Sequence, residues 1–207
     1  SDIETVTSIS FNVDYNDPLF STYDNFQLKE NKDILIDSII NSLLKENKMI
    51  NNDSDKSIYD EKTSEAYDYE KDYLLIVENG LYLTNIDERI NHIDDALDKR
   101  LDADKNYKSS NNQRLIGERY REKASEYFRQ GDANEAVKSY EKCIYWFLTS
   151  INTYYNETEQ DKKEFKKMKN GVIFSIDEIL NIENQNTEKH KKAELFREVY
   201  SEVFKKL

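Results

Sequence analysis

The chain has 207 residues, of which four are glycine, one is proline and one is cysteine, and it carries a formal net charge of −12. So few turn formers argue against a sheet-rich fold, one cysteine rules out an internal disulfide framework, and no apolar run reaches the roughly 20 residues of a membrane span. With 37% hydrophobic and 35% charged residues, the composition fits amphipathic helices with solvated outer faces, and an all-α antiparallel helical bundle is expected.

The charge is unevenly placed. Residues 1–52 hold 9 acidic and 4 basic side chains, residues 53–104 hold 16 and 6, and residues 105–207 hold 17 and 20. An acidic middle repels polyanions, which argues against nucleic acid and leaves proteins as partners. The lone cysteine, and a start (SDIETVTS) without the basic and apolar regions of a secretion signal, suit a cytoplasmic protein.

In chain order, residues 1–28 read as an extended arm. Its apolar groups, among them Phe11, Val13, Leu19, Phe20 and Phe26, are expected to lie in a groove. Residues 29–110 read as an acidic helical region. Within it, residues 31–47 form a helix, with Ile34, Leu35, Ile36, Ile39, Ile40, Leu43 and Leu44 making a wide apolar face at helical spacing. A polar linker is expected near residues 48–63. Tyr59, Tyr67, Tyr69 and Tyr73, set among carboxylates, then read as aromatic stems packed beneath a solvated helix face, with phosphorylation sites as the alternative. Asn79-Gly80 fits either a β-hairpin turn or a helix ending on Gly80 with a new start at Thr84 or Asn85, and the second is preferred. Ile86, Ile90, Ile93, Leu97 and Leu101 mark one stripe of a further helix, and KNYKSSNNQ reads as a break.

The stretch ASEYFRQGDANEAVKSYEKCI, Ala124–Ile144, joins two amphipathic runs at Gly131. Ile116, Tyr120, Ala124 and Tyr127 or Phe128 share a face of the first, taken over Leu115–Gln130. Ala136, Val137, Tyr140, Cys143, Ile144, Phe147, Leu148 and Ile151 share a face of the second. Asp132 or Asn134 caps the second helix, and small groups at Ala124, Ala136 and Cys143 let two backbones approach. The result is an antiparallel helical hairpin. A lysine-rich third helix, DKKEFKKMKNGVIFSIDEILNIE, follows with Phe165, Met168, Val172, Phe174 or Ile173, Ile176, Ile179 and Leu180 on its apolar face. Residues 183–207 end in an amphipathic helix carrying Leu195, Phe196, Val199, Tyr200 and Val203. That helix needs a partner, and the helices of residues 31–47 and 86–103 are available; dimerisation is the competing account.

No catalytic, cofactor-binding or metal site is expected. There is no phosphate-binding glycine loop, nucleophile elbow or His-x-x-x-His pair. His92 and His190 read as solvated, Cys143 as an inert packing residue, and Trp146 as a buried anchor. Asp94, Asp95, Asp98, Asp102 and Asp104 lack the glycine and final glutamate of a calcium loop.

The hairpin resembles a tetratricopeptide repeat at Tyr120, Ala124, Tyr127, Ala136, Tyr140 and Cys143. However, Lys123 stands where that family favours leucine, and no second copy occurs at a 34-residue period. Residues 111–182 also resemble the MIT domain, the three-helix module named for microtubule interaction and trafficking. Ala124, Glu126, Gly131, Glu135, Ala136, Tyr140, Phe147, Leu148 and Ile151 carry that resemblance. The long second helix and the third helix favour it. MIT domains bind short amphipathic tails of the ESCRT-III type between their second and third helices, and some serve autophagy complexes. The resemblance thus implies a non-catalytic adaptor, cytoplasmic and recruited to endosomal or other membranes through a partner. Its groove would be lined by Tyr140, Ile144, Phe147 and Leu148 on one helix and by Lys169, Val172, Ile176 and Leu180 on the next, with Lys166 and Lys167 steering an acidic peptide. The alternatives are a tetratricopeptide-like co-chaperone or scaffold, in which Ala124-Ser125 stand in place of the family's glycine-asparagine clamp, and a structural bundle subunit that self-associates.

Overall fold

The computed structural model describes residues 32–47, 51–80 and 85–207. The expected arm, residues 1–28, lies outside them. The described residues hold seven α-helices and no strand: α1 (Lys32–Leu44), α2 (Asp53–Gly80), α3 (Ile86–Asn106), α4 (Ser110–Arg129), α5 (Ala133–Asn156), α6 (Lys162–Ile182) and α7 (Glu188–Lys206). The all-helical bundle is the expected fold.

Local chemistry sets the ends of these helices. Gly80 closes α2 at φ 139°, and Asn85 caps α3 by accepting from the Asp87 amide at 2.9 Å, so the hairpin reading of Asn79-Gly80 falls away. Gly131, at φ 84°, makes the α4–α5 turn, and the Asp132 carboxylate accepts from the Glu135 amide at 3.1 Å.

Two boundaries differ from expectation. Residues 53–63 are not linker but the first turns of α2, where the Asn52 side chain accepts from the Asp55 amide at 3.0 Å. Leucine is absent from the inner face there, and Tyr59 packs on Tyr107 with ring centroids 5.1 Å apart instead. Likewise α4 starts at Ser110 rather than Leu115, behind the Ser109 cap. Its first turn is polar yet buried, with Asn112 1% exposed and Gln113 2%. Hydrophobic periodicity cannot register such a turn.

α4, α5 and α6 pack on one another as a three-helix core. α7 lies on α6 and on α1, and α1 closes against α5. On the other flank α3 lies on α4, and α2 on α3. Of the two partners available to α7, the fold therefore uses α1.

α5 is the axis of the assembly. Phe147, at its middle, is fully buried between two glycines. A Cβ on Gly171 of α6 would stand 2.6 Å from the Phe147 ring carbons, and one on Gly117 of α4 would stand 3.1 Å away. The ring occupies the space that side chains would otherwise fill, and three backbones close around it. Further along, the Asn152 side-chain amide reaches the carbonyl oxygens of Ser42 (3.2 Å), Leu43 (3.0 Å) and Lys45 (3.0 Å), and that of Asn156 reaches Lys45 at 3.0 Å. These amides satisfy the orphan carbonyls at the end of α1 and fix it on α5.

Gly171→Ala should therefore destabilise the chain by about 1–3 kcal/mol in urea unfolding, although alanine is the better helix former. An unchanged or raised midpoint would show that Phe147 has room to move.

Candidate functional site

Six of the eight residues assigned to the expected peptide groove lie inside the protein. Tyr140, Ile144, Phe147, Leu148, Val172 and Ile176 are each at most 4% exposed. They join one core with Leu35, Ile36 and Ile39 of α1 and with Phe196, Val199 and Tyr200 of α7. Lys169 and Leu180 sit at the margin of that core, partly exposed. The Lys169 ammonium lies 4.4 Å from the Phe165 ring centroid, while Lys166 and Lys167 face solvent. The protein's own amphipathic helices α1 and α7 thus pack over α5 and α6. Spacing along α5 and α6 identified the apolar faces but could not say which element covers them.

His190 is 6% exposed rather than solvated, with Nδ1 3.4 Å from the Glu194 carboxylate, and His92 is partly buried. The first turn of α7 is drawn inward by Lys189, whose ammonium lies 2.8 Å from the Glu141 carboxylate on α5. Trp146 is 6% exposed and Cys143 is fully buried, the latter with its thiol pushed well above its ordinary range by desolvation. A thiol so placed is not a nucleophile at neutral pH.

A layer of buried ions lies between α2, α3 and α4, and hydrophobic patterning gave no sign of it. Arg100 of α3 forms a bidentate pair with Glu70 of α2, its Nη2 donating at 2.9 Å, and its Nη1 donates to Asn112 of α4 at 2.9 Å. Arg119 of α4 lies 3.1 Å from the same Glu70 carboxylate. Two turns along, Glu126 accepts from Arg89 at 2.9 Å and from the Tyr73 hydroxyl at 3.0 Å. Glu70 and Arg100 are 7% and 5% exposed. Charges so buried hold only while both partners are present. Glu122 sits at the edge of this layer, its carboxylate 2.9 Å from Arg119 Nε. Burial pushes its carboxyl up to about 7, against the pull of the Arg119 guanidinium.

An open cleft of about 1250 Å³ lies where the start of α2 meets the α3–α4 and α5–α6 turns, lined by Tyr59, Tyr107, Tyr154, Lys56, Glu157 and Lys162 among others. Part of its charge is already engaged. Glu157 accepts from the Ser110 amide at 2.7 Å and its hydroxyl at 2.6 Å, and Lys56 pairs with Asp60. Among the described residues no group of three His, Cys, Asp or Glu side chains could hold a metal ion, and no helix is long and apolar enough to cross a membrane.

Large apolar side chains are exposed on several helices, at Ile34, Leu44, Phe128 and Phe174, and α2 carries four more, at Ile58, Tyr67, Leu74 and Leu75. Tyr67 is 61% exposed, Leu74 52% and Leu75 46%. Around them Asp60, Glu61, Asp68, Asp72 and Glu78 are all exposed, with Lys71 among them. α2 buries only its opposite face, at Ala66, Glu70 and Tyr73. No protein-family model, curated protein or solved structure matches the chain.

Two outcomes follow from the ionic layer. Glu70→Ala should cost about 3–5 kcal/mol in chemical unfolding, because the buried Arg100 guanidinium loses its one carboxylate and keeps only the Asn112 amide oxygen, while Arg119 retains Glu122. Glu122→Gln should act with the opposite sign. The folded-state value near 7 lies above the ordinary 4.5, so ionising Glu122 opposes folding; the cost is absent below about pH 4.5 and complete above about pH 7. The variant should be more stable than the wild type by about 1–2 kcal/mol at pH 8, a gain that fades as pH falls toward 4.5. A pH-independent difference would remove Glu122 from this account.

Proposed function

We propose that the protein is a non-catalytic interaction adaptor that docks a partner helix or peptide on its surface. The observation that supports this reading is the outer half of α2, where Tyr67, Leu74 and Leu75 stand in solvent among acidic side chains. Exposed apolar side chains gathered on one helix face are what a docking site presents, whereas scattered ones are ordinary. The resemblance of α4–α6 to MIT domains favours a place in membrane trafficking, in ESCRT-III assembly or in autophagy. The exposed Phe128 of α4 and Phe174 of α6 favour a second reading, a structural subunit that assembles with its own kind.

A titration of the chain against ESCRT-III-type tails, an acidic chaperone tail and basic amphipathic helices tests the adaptor reading, with sedimentation run alongside. Saturable binding of one class is the expected result. Self-association that disappears in Phe128→Ser/Phe174→Ser would favour the subunit reading. A monomer that binds no peptide would overturn both.

A further inference from the structure

We infer that the outer face of α2 receives a basic amphipathic helix from a partner protein. The inference rests on the adaptor reading and names the class of its partner.

Tyr67 and Leu74 lie seven residues apart, so they fall on one flank two turns from each other, about 10 Å along the axis. Leu75, the next residue, projects about 100° further round the helix, opposite the buried side of Ala66, Glu70 and Tyr73. An α-helix laid along this face would present its own apolar stripe at the same two-turn repeat, which is how helix pairs interdigitate. The charges determine what kind of helix it is. Four exposed carboxylates, Glu61, Asp68, Asp72 and Glu78, surround these side chains against the single exposed Lys71, while Asp60 is paired with Lys56. α2 as a whole carries 9 acidic and 3 basic residues. An incoming helix with lysines or arginines flanking its apolar stripe would neutralise that charge, and an acidic one would be repelled.

The same charge argument decides against two other occupants. The chain's own residues 1–31 carry 6 acidic and 1 basic side chains, so they share the sign of α2. A second copy meeting this one through the same face would set the two rows of carboxylates against each other. Its lysine-rich α6 start, at Lys162, Lys163, Lys166 and Lys167, has the right sign, but its neighbouring Phe165 is turned into the core, stacked on Tyr154 with centroids 4.6 Å apart. It therefore offers no apolar stripe to cover Leu74 and Leu75. α2 is held to the body through its opposite face, by the Glu70–Arg100 pair and the Tyr73–Glu126 hydrogen bond, so the outer face can be occupied without moving the bundle.

The test uses the full 207-residue chain. The probe is a synthetic 20-residue helix with leucines at heptad-spaced positions and lysines around them, compared with its glutamate analogue, by isothermal titration at low and high salt. The lysine peptide should bind saturably and at least about tenfold more tightly than the glutamate analogue, and salt should weaken it. Leu74→Ser/Leu75→Ser and Asp68→Lys/Asp72→Lys should each weaken it about tenfold or more. Asp95→Lys/Asp98→Lys, an equal charge change on the exposed side of α3, should leave it within about twofold. Equal losses from both charge pairs would reduce the effect to net charge and overturn the proposal. Tight binding of an acidic ESCRT-III-type tail, indifferent to the α2 variants, would also overturn it while leaving the adaptor reading in place. A monomer that binds no peptide would remove both.

Discussion

One aromatic ring determines how closely the three central helices can approach. Phe147 projects from α5 into a space left by Gly117 on one side and Gly171 on the other, and no side chain could share that space. The two glycines weaken α4 and α6 as helices, each by about 1 kcal/mol relative to alanine. The close fit around a fully buried ring offsets that cost and locates α4 and α6 relative to α5. The other packing builds outward from there: α1 and α7 close over one flank, and α3 then α2 are laid on the other.

The two flanks are joined by different physics. On the α1–α7 side the core is aliphatic and aromatic, continuous with Ile144, Leu148 and Ile151. On the α2–α3 side it gives way to arginine–glutamate pairs and a buried tyrosine hydroxyl. The pairs run in both directions between the helices: Glu70 of α2 receives guanidinium groups from α3 and α4, and Glu126 of α4 receives Arg89 of α3. A helix as polar as α2 has too little apolar surface to be held by burial alone. The ion pairs supply direction where burial would supply only adhesion.

The residues made part of this plainly readable. The hairpin at Gly131, the stripe from Ile86 to Leu101 and the final helix all announced themselves through apolar spacing and capping chemistry, and each is present. What stayed hidden was of one kind. The first turns of α2 and of α4 are helical because asparagine and serine side chains cap them and because tyrosine, asparagine and glutamine are buried there, none of which an apolar pattern records. For the same reason the ionic layer gave no signal: Glu70 and Arg100 look like any surface pair until the topology brings α2 and α3 together. The groove residues met a different limit. Their faces were read correctly as apolar, but a face can be covered by a partner or by the chain itself, and spacing along one helix does not distinguish these.

The bidentate pair between Glu70 and Arg100 has a consequence for how this surface can evolve. A tyrosine- and alanine-lined seam is smooth enough to tolerate several registers, and sliding α2 by one turn would shift it about 5.4 Å along α3. That slide would strand a carboxylate and a guanidinium in the interior, so one alignment is selected by charge. Register is thereby fixed from the inner side, and substitutions on the outward-facing half of α2 do not have to preserve it. The helix behaves as a keyed mount. Its concealed side carries the alignment, while its visible side is at liberty to drift, and so to exchange one binding specificity for another without rebuilding the bundle beneath.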